Sequence, residues 1–102
     1  MPKIVLSSLP IRLINAVYAG TSQLPAAAQR KKHPFKFNTM TAPFKQMENI
    51  QIFLTAAEAY GVPRASLFQT VDLYEMRNMT QVLNCLLQLG TEVMSTGLSR
   101  RL

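Results

Sequence analysis

Apolar residues recur at helical spacing in two long stretches of the chain. Phe44, Met47, Ile50, Phe53, Leu54, Ala57 and Tyr60 fall three and four apart, while Glu48, Gln51, Thr55 and Glu58 take the opposite face. This pattern predicts a helix over about 44–60. Pro43 or Thr41 suits its first turn. Gly61 followed by Pro63 ends it, because glycine tolerates the C′ conformation and proline blocks continuation. The second stretch runs over about 79–95. Met79, Val82, Leu83, Leu86, Leu87, Val93 and Met94 mark its predicted buried stripe, with Gly90 on the same side. Asn78 is a good N-cap with Gln81 three residues on, and Gly97 is a natural terminator.

The remaining segments are shorter or broken. Pro2, Pro10, Pro25, Pro34 and Pro43 lie in residues 1–43, and each disfavours a helix interior. Between Pro10 and Gly20 the spacing of Ile11, Ile14, Val17 and Tyr18 predicts one short helix over 11–18. A long connection follows from Gly20 to Thr41. Between the two strong helices, short turns are expected at 66–69 and 72–75, with Leu67, Phe68, Leu73 and Tyr74 pegging them to the core. Nothing reads as a strand or an internal repeat. The expected fold class is all-α. It divides into a basic, Pro-rich segment 1–43, a helical part 44–97 and a tail 98–102.

Composition narrows the class. At 48% hydrophobic and 16% charged, the 102-residue chain is one globular unit rather than a disordered polymer. Its single cysteine, Cys85, cannot make an internal disulfide, and with one histidine, His33, there is little material for a metal site. A reducing compartment is the default. No apolar run is long enough for a transmembrane helix. The formal charge of +6 is unevenly spread: residues 1–45 hold seven basic residues and no acid, whereas all five acids lie in 46–102.

Several linked motifs resemble one family. Phe44-Lys45-Gln46-Met47-Glu48-Asn49-Ile50, Ala57-Glu58-Ala59-Tyr60-Gly61-Val62 and Phe68-Gln69-Thr70-Val71-Asp72-Leu73-Tyr74-Glu75 resemble the calponin homology domain, on its transgelin, calponin and invertebrate muscle-protein branch. Asn78-Met79-Thr80-Gln81-Val82, Leu86 and Leu89-Gly90 continue the resemblance. Leu13-Ile14-Asn15-Ala16-Val17-Tyr18 looks like the family's earlier Leu-Ile-Asn helix. The chain departs from the family in having no Trp, which the family's first helix bears, and no Asp-Gly step before the Leu-Ile-Asn helix. The resemblance therefore implies a domain without its first helix. Part of the long helix would then stay uncovered, so the expectation is a marginal monomer, a self-associating chain or one that needs a partner.

Candidate chemistry is sparse. Arg30, Lys31, Lys32 and Lys36 form the densest charge and are the candidate partner-binding residues, suited to an acidic surface. Phe35 and Phe37 interleave with Lys36, and one of them is expected to anchor the loop. Cys85 is expected to be a buried, inert thiol. Asn49, at the edge of an apolar face, is expected to make a structural hydrogen bond. Glu48 and Glu58 are expected as solvated carboxylates, and no catalytic or cofactor-binding set converges.

The function the resemblance implies is non-enzymatic association with actin filaments or actin-regulating partners in the cytoplasm. The alternatives are a protein-interaction scaffold that does not touch actin directly, or a truncated isoform with weak or no activity. A nucleic-acid contact through the basic linker is a third reading that no RNA-binding motif supports. Residues 1–33 also have transit-peptide composition, a secondary alternative weakened by the prolines at 2 and 10.

Overall fold

The computed structural model describes residues 3–21, 24–32, 34–40 and 42–95, the side chain at position 4 excepted. The expectations for His33, Thr41, Gly97 and the tail 98–102 lie outside the described residues. Helix α1 spans Lys3–Gly20, α2 Ala26–Gln29, α3 Pro43–Tyr60, α4 Thr70–Tyr74 and α5 Met79–Ser95. A 3-10 turn at Arg64–Ser66 lies between α3 and α4. No strand occurs among the described residues. The fold is all-α, and the two strong helices lie where their patterns put them.

Helix α1 corrects one expectation. The predicted 11–18 segment is the middle of an 18-residue helix with Pro10 inside it. Proline removes the bond its N–H would give the Leu6 carbonyl and normally costs a helix about 3 kcal/mol. Burial outweighs this local penalty. Leu6, Ser7, Ile11, Ile14 and Tyr18 form one continuous buried stripe on both sides of the proline, and straightening the first two turns away would expose its upper end. The stripe packs chiefly on α3. There it meets a core that includes Ile50, Phe53, Leu54, Ala57 and Tyr60.

Polar groups at this contact are satisfied. The Tyr18 hydroxyl donates to the Ala56 carbonyl at 2.8 Å. Thr21 Oγ1 donates to the Val17 carbonyl at 2.7 Å and shares a 2.7 Å hydrogen bond with the Tyr60 hydroxyl. Burial, and secondarily the nearby Tyr60, pushes the Tyr18 hydroxyl pKa up to about 12.

Helix α3 opens with Pro43 at its first position after Ala42. It closes at Gly61, whose φ of 135° lies in the region open to glycine. Its first turn differs from expectation. Phe44 is 69% exposed, and its ring lies under the Lys45 ammonium at 5.6 Å. The polar Gln46 and Asn49 are buried instead. Gln46 accepts a 2.8 Å hydrogen bond from the buried Tyr74 hydroxyl.

The connection to α5 is pegged by Phe68, Leu73 and Tyr74, which are buried, and by Leu67, which packs half-buried against the core. Its geometry differs at 66–69: the turn there is the 3-10 turn at Arg64–Ser66, after which the backbone is extended at Leu67 and Gln69. Gln69 and Asp72 form a reciprocal capping box that starts α4. The Asn78 side chain caps α5 by accepting from the Gln81 N–H at 3.2 Å. The Gln81 side chain does not close the box. It donates to the Leu67 carbonyl at 3.0 Å, tying α5 to the connection.

The buried face of α5 is rotated from the predicted stripe. Val82, Cys85 and Leu89 are buried, whereas Met79, Leu83, Leu86, Leu87 and Met94 are exposed. The reason is packing: α5 docks chiefly along the 3-10 turn and α4, and that side selects the 82/85/89 row.

Candidate partner-binding surface

The basic loop is presented by a sequence of anchors. Ala28, fully buried, pins α2 to α3 and places Arg30, Lys31 and Lys32 at its C-terminal end. Five residues on, Asn15 of α1 holds the chain at two points. Its Nδ2 donates to the Phe35 carbonyl at 3.0 Å, and its Oδ1 accepts from the Phe35 N–H at 2.6 Å. The Phe35 ring stands edge-on to Tyr18 at 5.0 Å. Phe37 packs partly against the core beneath the Arg12 guanidinium, 5.2 Å from its ring centroid. Both aromatics therefore anchor the loop, and Lys36 between them is exposed.

A third anchor follows. The Asn49 carboxamide accepts from the Asn38 N–H at 2.6 Å and donates to the Asn38 carbonyl at 2.9 Å. The same group donates weakly to Ser7 Oγ at 3.5 Å, so α1, α3 and the loop meet at one buried amide. Neither role is local in the sequence: Asn15 stands in the Leu-Ile-Asn motif, but only the fold sets it against Phe35 and sets Asn38 against Asn49. An asparagine on an otherwise apolar helical face was the available signal for Asn15, as it was for Asn49.

The four candidate cations do not gather at one point. Lys31 and Lys32 line a groove of about 350 Å³ with Phe35, Ile52 and Glu48. Arg30 and Lys31 line a second of about 430 Å³ with Thr55, Glu58 and Arg64. Lys36 lines neither. Arg64, distant in sequence, thus joins the surface through the fold. Its guanidinium lies 2.6 Å from Glu58, and that hydrogen bond and charge raise its pKa further. Glu48 and Glu58 reduce the positive potential of the two grooves.

The nucleophile and carboxylates are otherwise engaged. Cys85 is fully buried, and desolvation pushes its thiol pKa up to about 11. Asp72 accepts from the Gln69 N–H at 2.8 Å, Glu75 pairs with Arg77 at 3.1 Å, and Glu92 accepts from Gln88 at 3.0 Å. Glu48 accepts from Asn38 at 2.7 Å. Among the described residues no three His, Cys, Asp or Glu side chains stand together as metal ligands. No described helix is long and apolar enough to cross a membrane.

The described residues thus form a small all-α unit with a basic loop held against α1 and α3. The calponin homology (CH) domain model matches residues 10–94, most of the chain, and the chain belongs to that non-enzymatic family. The chain is also similar to myophilin of Echinococcus granulosus, 58% identical over 50 residues, which are 49% of this chain and 26% of the relative. The aligned stretch thus spans about a quarter of that relative's length. No solved structure matches the chain.

Proposed function

We propose that this chain is a cytoplasmic, actin-cytoskeleton-associated module that binds actin filaments or actin-regulating proteins through an acidic site on the partner. Family membership supports the class of partner. The observation that carries the surface is the anchoring on either side of the cations: Ala28 is buried before Arg30, Lys31 and Lys32, and Asn15 holds Phe35 beside Lys36, while Arg64, paired with Glu58, lines the second groove with Arg30 and Lys31. A preorganised loop loses less conformational freedom on binding.

Co-sedimentation with filamentous actin across a salt series tests this reading. Pelleting at low salt that weakens as salt rises is the expected result. A second reading, a scaffold for actin-regulating proteins without direct actin contact, is favoured by Glu48 and Glu58 within the same grooves. Absence of pelleting at low salt would select it. A nucleic-acid contact is disfavoured, because Phe35 and Phe37 are occupied in packing and are not free to stack on bases.

A further inference from the structure

The outward face of α3 is polar by its own sequence, with Glu48, Gln51, Thr55 and Glu58 on it, and Gln51 and Thr55 are exposed. The two grooves at the basic loop lie along this face, and because Lys31 and Thr55 line both, they meet. From Glu48 to Ala59 the helix rises about 16 Å, so the joined groove has the length of about five residues of extended chain. Its walls differ in chemistry. Ile52 and Phe35, both half-buried, make an apolar patch with the buried Ala56 in the first groove. Arg30, Lys31 and Lys32 stand along the loop side.

Charge supplies the second observation. The two carboxylates in the joined groove are already engaged. Glu48 accepts from Asn38 Nδ2 at 2.7 Å and lies 3.9 Å from the Lys45 ammonium, and Glu58 lies 2.6 Å from the Arg64 guanidinium. No described carboxylate pairs with Arg30, Lys31 or Lys32. Three cations therefore border the groove without a compensating charge of their own, and such a cluster attracts an anion. Gln51 Nε2 donates to Thr55 Oγ1 at a long 3.4 Å, and these exposed groups are placed to serve a peptide backbone.

We propose that this groove receives an extended acidic segment of a partner protein. One apolar side chain of that segment seats on Phe35 and Ile52. Carboxylates on either side of it reach Lys32 in the first groove and Arg30 with Lys31 in the second. Extended chain suits this division, because alternate side chains point the same way, about 6.6 Å apart. An acidic residue two positions before and two positions after the apolar one thus enters the groove with it. A purely electrostatic contact would use the cations alone, and the apolar patch beside them adds the requirement for the central side chain. That requirement separates a peptide from a nucleic acid, whose phosphates would use the cations and leave the patch bare. The inference rests on the partner-binding role given to the basic loop. It goes beyond that role in naming the form of the bound segment and in adding Ile52 and Thr55 to the site.

Nuclear magnetic resonance titration of the isotope-labelled chain at low salt tests this with two peptides. One has glutamate at both ends, leucine at the centre and threonine between, and the other has serine in place of the leucine. Amide resonances of 30–32 and 51–56 are expected to shift, with the leucine peptide binding about five- to tenfold tighter, as covering part of an aliphatic side chain allows. In Ile52→Ser the two affinities should converge to within about twofold, whereas Lys32→Gln should weaken both peptides and keep their ratio. The ratio does not depend on how much of a variant is folded, because loss of folded chain lowers both affinities alike. Equal affinity for the two peptides in the parent, binding of neither, shifts confined to residues outside the groove, or an unchanged leucine preference in Ile52→Ser would each overturn the proposal. So would an oligothymidylate of matched charge that moves the same resonances at least as tightly as the leucine peptide. Leucine-selective binding without filament pelleting would support the groove and tell against the actin reading, and pelleting without a leucine preference would do the reverse.

Discussion

The carboxamide of Asn49 on α3 grips the backbone of Asn38 at both its N–H and its carbonyl, at 2.6 and 2.9 Å. Asn49 is fully buried, so its loss would leave Asn38 backbone groups without those partners. Asn49→Leu is expected to cost about 2–3 kcal/mol in stability. Asn49→Asp keeps the acceptor but forfeits the donor and buries a charge, and should cost at least as much. Urea denaturation monitored by circular dichroism measures both. A change below about 0.5 kcal/mol in Asn49→Leu would contradict the two-point clamp.

The chain should lose stability at alkaline pH. Burial raises Cys85 from its ordinary 9.0 to about 11, and Tyr18 from 10.0 to about 12. The unfolded chain therefore releases these protons first. Both groups contribute stability that is fully present below pH 9.0, declines as pH rises, and is lost once the folded values of about 11 and about 12 are passed. Urea midpoints measured from pH 8 upward should fall through this window. Cys85→Ala should flatten the first part of the decline. Native Cys85 should also resist thiol reagents at neutral pH until the chain is unfolded.

The glycine that ends α3 and the one inside α5 should respond oppositely to alanine. Gly61 has a φ of 135°, which an L side chain adopts only under strain of about 1–2 kcal/mol. Its Cβ would also approach Glu92 Oε1 to 2.9 Å, a contact the flexible carboxylate can relieve by moving. Gly61→Ala should therefore lower stability chiefly through the backbone. Gly90→Ala meets open space and should stabilise the monomer by about 0.5–1 kcal/mol. Thermal melts at low concentration distinguish the pair.

Helix α1 should behave as part of the core. Ile14 is fully buried against α3, so Ile14→Ala is expected to cost about 2–5 kcal/mol. Hydrogen exchange should protect the amides of 11–18 to a degree comparable with 50–57. Rapid exchange at 11–18 with protection retained in α3 would show α1 to be undocked.

What the sequence made legible follows from how local each signal is. The end of α3 and the start of α5 are readable because Gly61, Pro63 and Asn78 act within one turn. The start of α1 was not readable. Pro10 is a strong local breaker, and the burial of Leu6 and Ser7 overrides it. The rotation of α5 was equally hidden, since that helix is apolar on more than one side. Periodicity identifies a stripe, but the docking of Val82, Cys85 and Leu89 decides which stripe is covered. At the candidate surface, the Arg30–Lys32 run was visible as a run. Arg64 was not, because only the fold brings it beside Lys31. Phe35 and Phe37 shared a single expectation of one anchor, and both proved to pack, through Asn15 and Arg12 respectively.

The most direct measurement is binding to filamentous actin by the parent chain and by a charge-reversed variant, Arg30→Glu with Lys31→Glu and Lys32→Glu, at matched salt. Circular dichroism should show the same helicity in both, because these side chains lie outside the core. The expected result is saturable pelleting of the parent, weakened about tenfold or more in the variant and converging with it as salt screens the contact. Parent and variant pelleting equally, or neither pelleting at low salt, would contradict direct actin binding through the basic loop.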